Sequence, residues 1–112
     1  MQKLQKNVRI DITEGSFDTG SGMHRLYLLA SLEGDGVVPN TRIVKASVLG
    51  EPSIQIYVYP TETPGVYAMD IDLTGMPSGV YQLYVEVELD LPLPDGSTQT
   101  FRGVELFPIY VW

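Results

Sequence analysis

The chain has 112 residues, no cysteine, and a net charge of −7 from 14 acidic and 7 basic side chains. That length is one domain, able to bury roughly 65% of its unfolded surface and so to hold a core without staples. The acidic balance argues against a nucleic-acid partner, which calls for clustered Lys and Arg; the missing cysteines exclude a disulfide framework, thiol chemistry and a Cys-type zinc site.

Residues 1–6 are mostly polar and lack the apolar centre of a signal peptide. Val8, Ile10 and Ile12 then alternate with Arg9, Asp11 and Thr13, which predicts a first half-buried strand. Glu14 to Gly22 reads as a Gly/Ser-rich loop, with Phe17 as its anchor at the core edge. His24 to Leu32 is the second strand, with Leu26, Leu28, Ala30 and Leu32 on one face and Tyr27, Leu29 and Ser31 on the other. Glu33-Gly34-Asp35-Gly36 and Pro39-Asn40 are turn signals. A third strand over Arg42 to Leu49 is expected to turn Val44, Ala46 and Val48 inward, and Gly50-Glu51-Pro52 breaks it. In the fourth strand, Ser53 to Tyr59, Ile54, Ile56 and Val58 oppose Gln55, Tyr57 and Tyr59.

The clearest patterning lies between Pro64 and Leu91. Two Gly-Val-Tyr steps, Gly65-Val66-Tyr67 and Gly79-Val80-Tyr81, each open an alternating run. Tyr67, Met69, Ile71 and Leu73 share one face of the first. Tyr81, Leu83, Val85, Val87, Leu89 and Leu91 share one face of the second, while Gln82, Tyr84, Glu86, Glu88 and Asp90 share the other. Pro92 to Ser97 makes a hairpin loop through Pro94-Asp95-Gly96, and the last strand runs from Thr98 to the end. Neither phase of that strand is clean near Arg102-Gly103. A bulge there would bring Phe101, Val104 and Leu106 inward together, and Pro108 marks a sheet edge or bend. Strands with short turns and no helical period predict a seven-strand antiparallel sandwich of immunoglobulin or fibronectin-III type over residues 1–112, a small closed barrel being the alternative. Tyr81, at the start of the sixth strand, is placed for a tyrosine corner.

Several short motifs recur in a set order: Gly36-Val37-Val38-Pro39-Asn40, Val44-Lys45-Ala46-Ser47-Val48, Gly65-Val66-Tyr67, Ser78-Gly79-Val80-Tyr81, Asp95-Gly96, Phe101-Arg102, and Leu106 to Val111. Over roughly residues 32–111 this order is similar to bacterial immunoglobulin-like and fibronectin-III-like accessory modules of secreted and cell-surface proteins. The resemblance implies a sandwich serving as a structural or adhesive part of a larger assembly. Many such modules hold calcium in an acidic, Gly-rich loop before the first Gly-x-Tyr step. Here Pro60 to Pro64 stands in that place with Glu62 as its only acid, which argues against calcium.

Little in the sequence suggests catalysis. His24 is the only histidine, and no nucleophile-elbow pattern accompanies it, so it reads as a surface residue at the start of a strand. Met23 with Met69 or Met76 would suit copper, but Met69 reads as core and Met76 as a loop residue packing inward. Asp70, Asp72, Glu86, Glu88 and Asp90 read as solvated outer faces rather than a hydrolytic pair, which needs a cleft and one raised pKa. No enzyme, metal or cofactor is expected.

The aromatics carry the functional lead. Tyr57, Tyr59 and Tyr84 lie on outward phases and share one sheet in a fibronectin-like arrangement. Tyr110 and Trp112 lie on one face of the apolar final segment, opposite Phe107, Ile109 and Val111. These five residues, Tyr57, Tyr59, Tyr84, Tyr110 and Trp112, are the candidate binding positions. The expected function is a non-enzymatic structural or protein-interaction module. Its partner would be another protein, a second copy or a following domain, met through the C-terminal strand by edge pairing or by packing of Trp112. Carbohydrate binding on the tyrosines is the alternative function, and Trp112 folded over the open end of the sandwich is the alternative placement. No apolar run approaches the ~18 residues of a membrane helix, so insertion is not expected. The compartment stays open: cytoplasmic if Met1 begins the protein, extracellular or cell-surface if it marks a boundary within a longer exported chain.

Overall fold

A computed structural model describes residues 5–18, 22–38 and 40–112, the side chains of 16–18 excepted. The strands are β1 (Val8–Asp18), β2 (Met23–Leu32), β3 (Asn40–Val48), β4 (Ile56–Pro60), β5 (Val66–Asp72), β6 (Gly79–Pro92) and β7 (Thr98–Val111). They form two antiparallel sheets, ordered β1-β2-β5-β4 and β3-β6-β7. The fold is therefore an all-β sandwich of four strands against three, not closed into a barrel.

The alternating faces read from the sequence are the faces that meet in the core. Leu26, Leu28, Ala30 and Leu32 of β2, Met69 and Ile71 of β5, and Leu83, Val85, Val87 and Leu89 of β6 are at most 1% exposed. Burying each large apolar side chain contributes about 1.5–3 kcal/mol, so the central strands carry most of the fold's stability. At the crossing between sheets, the Tyr81 hydroxyl donates to the Pro77 carbonyl at 2.6 Å. The tyrosine corner is thus formed, four residues across the bend from β5 to β6. Tyr67 makes a second tie between sheets by donating to the Thr41 carbonyl at 2.6 Å. The hairpin after β6 closes with Leu93 N–H on the Ser97 carbonyl at 2.8 Å, Gly96 taking the positive φ (88°) that the turn requires.

Several expectations are corrected. The Glu14–Gly22 segment is not all loop: β1 runs to Asp18, with a bulge between Glu14 and Phe17, because β2 extends to Met23 and offers a ladder as far as Asp18. The Phe17 side chain and the Pro39 turn lie outside the described residues. β4 begins only at Ile56, since Ile54 is still held in a turn by the Glu51 carbonyl. Val44 does not face the core: a bulge between Ile43 and Lys45 pushes it out, to 46% exposure. The bulge expected in β7 is absent, for β6 and β7 pair without a break from Gly79↔Val111 to Pro92↔Thr98. Gly103 has another reason to be glycine. A Cβ there would sit 2.6 Å from Val8 Cγ1, so its missing side chain admits β1 across the sandwich. The inward phase of β7 is accordingly Phe101, Gly103, Glu105, Phe107, Ile109 and Val111, with Glu105 and Val111 half-buried, and Val104 and Leu106 point to solvent, each 51% exposed. His24 is not a surface residue. It lies on the inward face of β2, 7% exposed, opposite Ile71, and burial holds its imidazole below the usual value against an opposing pull from Glu14.

Candidate functional site

The outer faces of the two sheets differ in kind. On the four-stranded sheet, the pairing Tyr57↔Asp70 and Tyr59↔Ala68, beside Arg25↔Asp70, assembles a polar aromatic network. Arg25 grips Asp70 through two bonds, Nε–Oδ1 at 2.7 Å and Nη2–Oδ2 at 2.8 Å. Tyr59 donates to Asp70 Oδ2 at 2.6 Å, contacts Arg25 Nη2, and lies under the guanidinium, 5.6 Å from its ring centroid. The Arg25 bonds hold the Asp70 carboxyl below its usual range, and the Asp70 carboxylate in turn pushes the Tyr59 phenol up. Arg25, Asp70 and Tyr59 thus partner one another. A shallow depression of about 200 Å³ lies next to it, lined by Asp11, Thr13, Tyr27, Leu28, Leu29 and Val66.

On the three-stranded sheet the outer face is divided lengthwise. Toward the β6–β7 hairpin it is ionic. Arg42 bonds Asp90 at 2.6 Å and Glu88 at 2.8 Å, Arg102 bonds Glu88 at 2.6 Å, and Thr100 donates to Asp90 at 2.6 Å. Glu88 thereby links β3 to β7, and both arginines hold its carboxyl below the usual range, Arg102 foremost. The acidic row read as merely solvated is therefore a set of cross-strand rungs. Lys45 lies over the Tyr84 ring at 5.7 Å, and Tyr84 donates to Glu86 at 3.1 Å.

Toward the other end the same face is apolar. Val80 pairs with Tyr110, Gln82 with Pro108 and Tyr84 with Leu106, and Leu49 sits beside Gln82. Leu49, Val80, Val104, Leu106, Tyr110 and Trp112 are exposed to 50, 57, 51, 51, 49 and 95%. Trp112 is no plug over the sandwich: it stands in solvent and stacks on Tyr110, with ring centroids 6.3 Å apart and planes 16° apart.

Of the candidate positions, Tyr84, Tyr110 and Trp112 come together on this face. Tyr57 and Tyr59 do not join them, because β4 pairs with β5 and so belongs to the opposite sheet. Val80, Val104 and Leu106 were missed as site residues. Reading Gly103 as a bulge turned Val104 and Leu106 inward, and the pairing of Val80 with Tyr110 was the signal that would have shown the patch. Among the described residues, no group of three or more His, Asp or Glu side chains converges as a metal site would require. No protein-family model matches the chain, nor does any curated protein or solved structure.

Proposed function

We propose that this chain is a non-enzymatic immunoglobulin-like module that holds a larger surface or secreted assembly together through the outer face of its β3-β6-β7 sheet. The observation that carries the reading is the contiguous apolar half of that face, from Val104 to Trp112. Scattered apolar residues are ordinary on a protein surface, whereas a contiguous patch marks a contact. The strand order, β1-β2-β5-β4 against β3-β6-β7, is that of the constant-type immunoglobulin sandwich, and the corner at Tyr81 accompanies it. Tyr and Trp at the centre of exposed apolar surface are the side chains that anchor protein contacts. A photo-crosslinking residue at Leu106, with one at Tyr57 as control, tests this in the cells that make the protein. A discrete adduct from position 106 and none from 57 is expected; no adduct from 106 overturns the reading.

A carbohydrate-binding role is the second reading. The near-parallel Tyr110 and Trp112 rings favour it, since exposed aromatic faces stack on sugars. The row of three tyrosines that first suggested it is divided between two sheets. Binding on a glycan array that disappears with Trp112→Ala is the outcome this reading requires.

A further inference from the structure

We infer that the occupant of the apolar half of the β3-β6-β7 face is a second copy of this chain, packed face to face about a two-fold axis; this rests on the interaction-module reading above. Two observations select the geometry and the partner.

The first is the state of the β7 edge. Leu49 N–H donates to the Gln82 carbonyl, so the backbone groups of Gln82 point toward β3. Its partner on the other side, Pro108, is therefore in a non-hydrogen-bonded pair, and its own backbone polar group faces the open edge. The same alternation turns Val104, Leu106 and Tyr110 to that edge. Pro108 has no N–H to offer there, and the Leu106 N–H is taken by the Glu105 carboxylate at 3.2 Å. Two consecutive edge positions are thus closed to a ladder. A partner that joins here comes onto the face, not the edge.

The second is charge. The outer face holds Arg42, Lys45 and Arg102 against Glu86, Glu88 and Asp90, so it carries no net charge. The whole −7 of the chain resides elsewhere. A partner recruited by charge would be basic and would settle on that acidic remainder. A second copy, equally acidic, is repelled everywhere except at this face, where apolar area alone acts. A two-fold axis running across the strands through the Gln82–Pro108 pair lays apolar half on apolar half and sends the two ionic halves outward as a rim. Eight residues of β6 and of β7 at about 3.4 Å, with strands about 4.8 Å apart and only the end of β3 beside them, give a footprint of roughly 300 Å². Two such faces fall short of the ~1,200 Å² at which stable complexes begin, so the association is weak and reversible.

Sedimentation equilibrium of the full chain from about 10 µM to about 1 mM tests the inference, a range that suits weak interfaces. The average mass is expected to rise toward two chains and to stay at one for Leu106→Lys, while Tyr57→Lys associates like the parent. Raising NaCl from about 50 mM to about 500 mM is expected to tighten association about twofold or more, because salt screens the repulsion between the acidic remainders. Amide shifts on dilution are expected on the outward residues of β3, β6 and β7. A single-chain mass at the highest concentration, association that survives Leu106→Lys, or association that loosens with salt overturns the inference. The crosslinking at position 106 then separates the two readings. An adduct with a different protein removes the second copy and leaves the module, and no adduct removes both.

Discussion

Single side chains decide much of how this sandwich is held. The Tyr81 hydroxyl ties the start of β6 back to the Pro77 carbonyl, so Tyr81→Phe removes that hydrogen bond and nothing else. It is expected to lower stability by about 1 kcal/mol, read as a fall in the urea midpoint; an unchanged midpoint would show that the corner bond contributes nothing. Gly103 works by absence. The Cβ of Gly103→Ala would meet Val8 Cγ1 at 2.6 Å and Val8 Cβ at 2.9 Å. Shortening of the unfolded chain's freedom by alanine is worth under about 1 kcal/mol, less than the overpacking cost of about 1–3 kcal/mol, so the variant is expected to be less stable. Val8→Ala in the Gly103→Ala background is expected to recover part of the loss. Additive losses in the double variant would show that the two residues do not touch.

At the scale of strands, β7 is the element where alternation, edge and surface meet. Because the backbone of Pro108 faces the open edge, Pro108→Thr removes no bond from the β6–β7 ladder and restores an edge donor. Its stability is expected to change by less than about 0.5 kcal/mol, the range of surface substitutions, while thioflavin-positive aggregation on storage increases. A large stability change would mean that Pro108 is in the ladder after all. β5 and β6 could be read directly from the sequence, because Tyr67 to Leu73 and Tyr81 to Leu91 alternate without interruption and one face of each is buried, with Tyr67, Tyr81 and Leu91 half-buried at its ends. The two bulges, at Ile43/Lys45 and Glu14/Phe17, could not, since a bulge is set by which partner residues the neighbouring strand offers. Gly103 misled for the same reason: a glycine that breaks alternation signals either a bulge or a close approach, and only the position of β1 tells which. The site was half visible. Tyr110 and Trp112 stood out as apolar residues in excess of what one core face can take, but Val80 and Leu106 join them only through the β6–β7 register.

The molecule as a whole is elongated, 52 × 29 × 20 Å, because the β6–β7 hairpin has two 14-residue strands. Its Cα radius of gyration is 15.7 Å. A compact chain of this length has about 13 Å. The length exposes both halves of one sheet face, ionic and apolar, and it also leaves the fold's acid response to a few buried or paired groups. His24 is held below its usual value by burial on β2, so the unfolded chain binds its proton more readily than the native one. The stability tied to a neutral His24 is complete above the unfolded value of about 6.5 and is lost as pH falls below it. Asp70, Glu88 and Asp90 are held below the usual carboxylate range by Arg25, by Arg102 with Arg42, and by Arg42 respectively. Their contribution is present above the ordinary carboxylate values and disappears only as pH falls through about 4 and below. Two separate declines are therefore expected in the urea midpoint, one setting in below about pH 6.5 and one below about pH 4. In His24→Gln, which cannot titrate, the upper decline should vanish and the lower one remain. An upper decline unchanged in that variant would place the responsible group elsewhere, and a flat wild-type profile from about pH 7.5 to about pH 5 would mean that His24 takes its proton in the folded state without penalty.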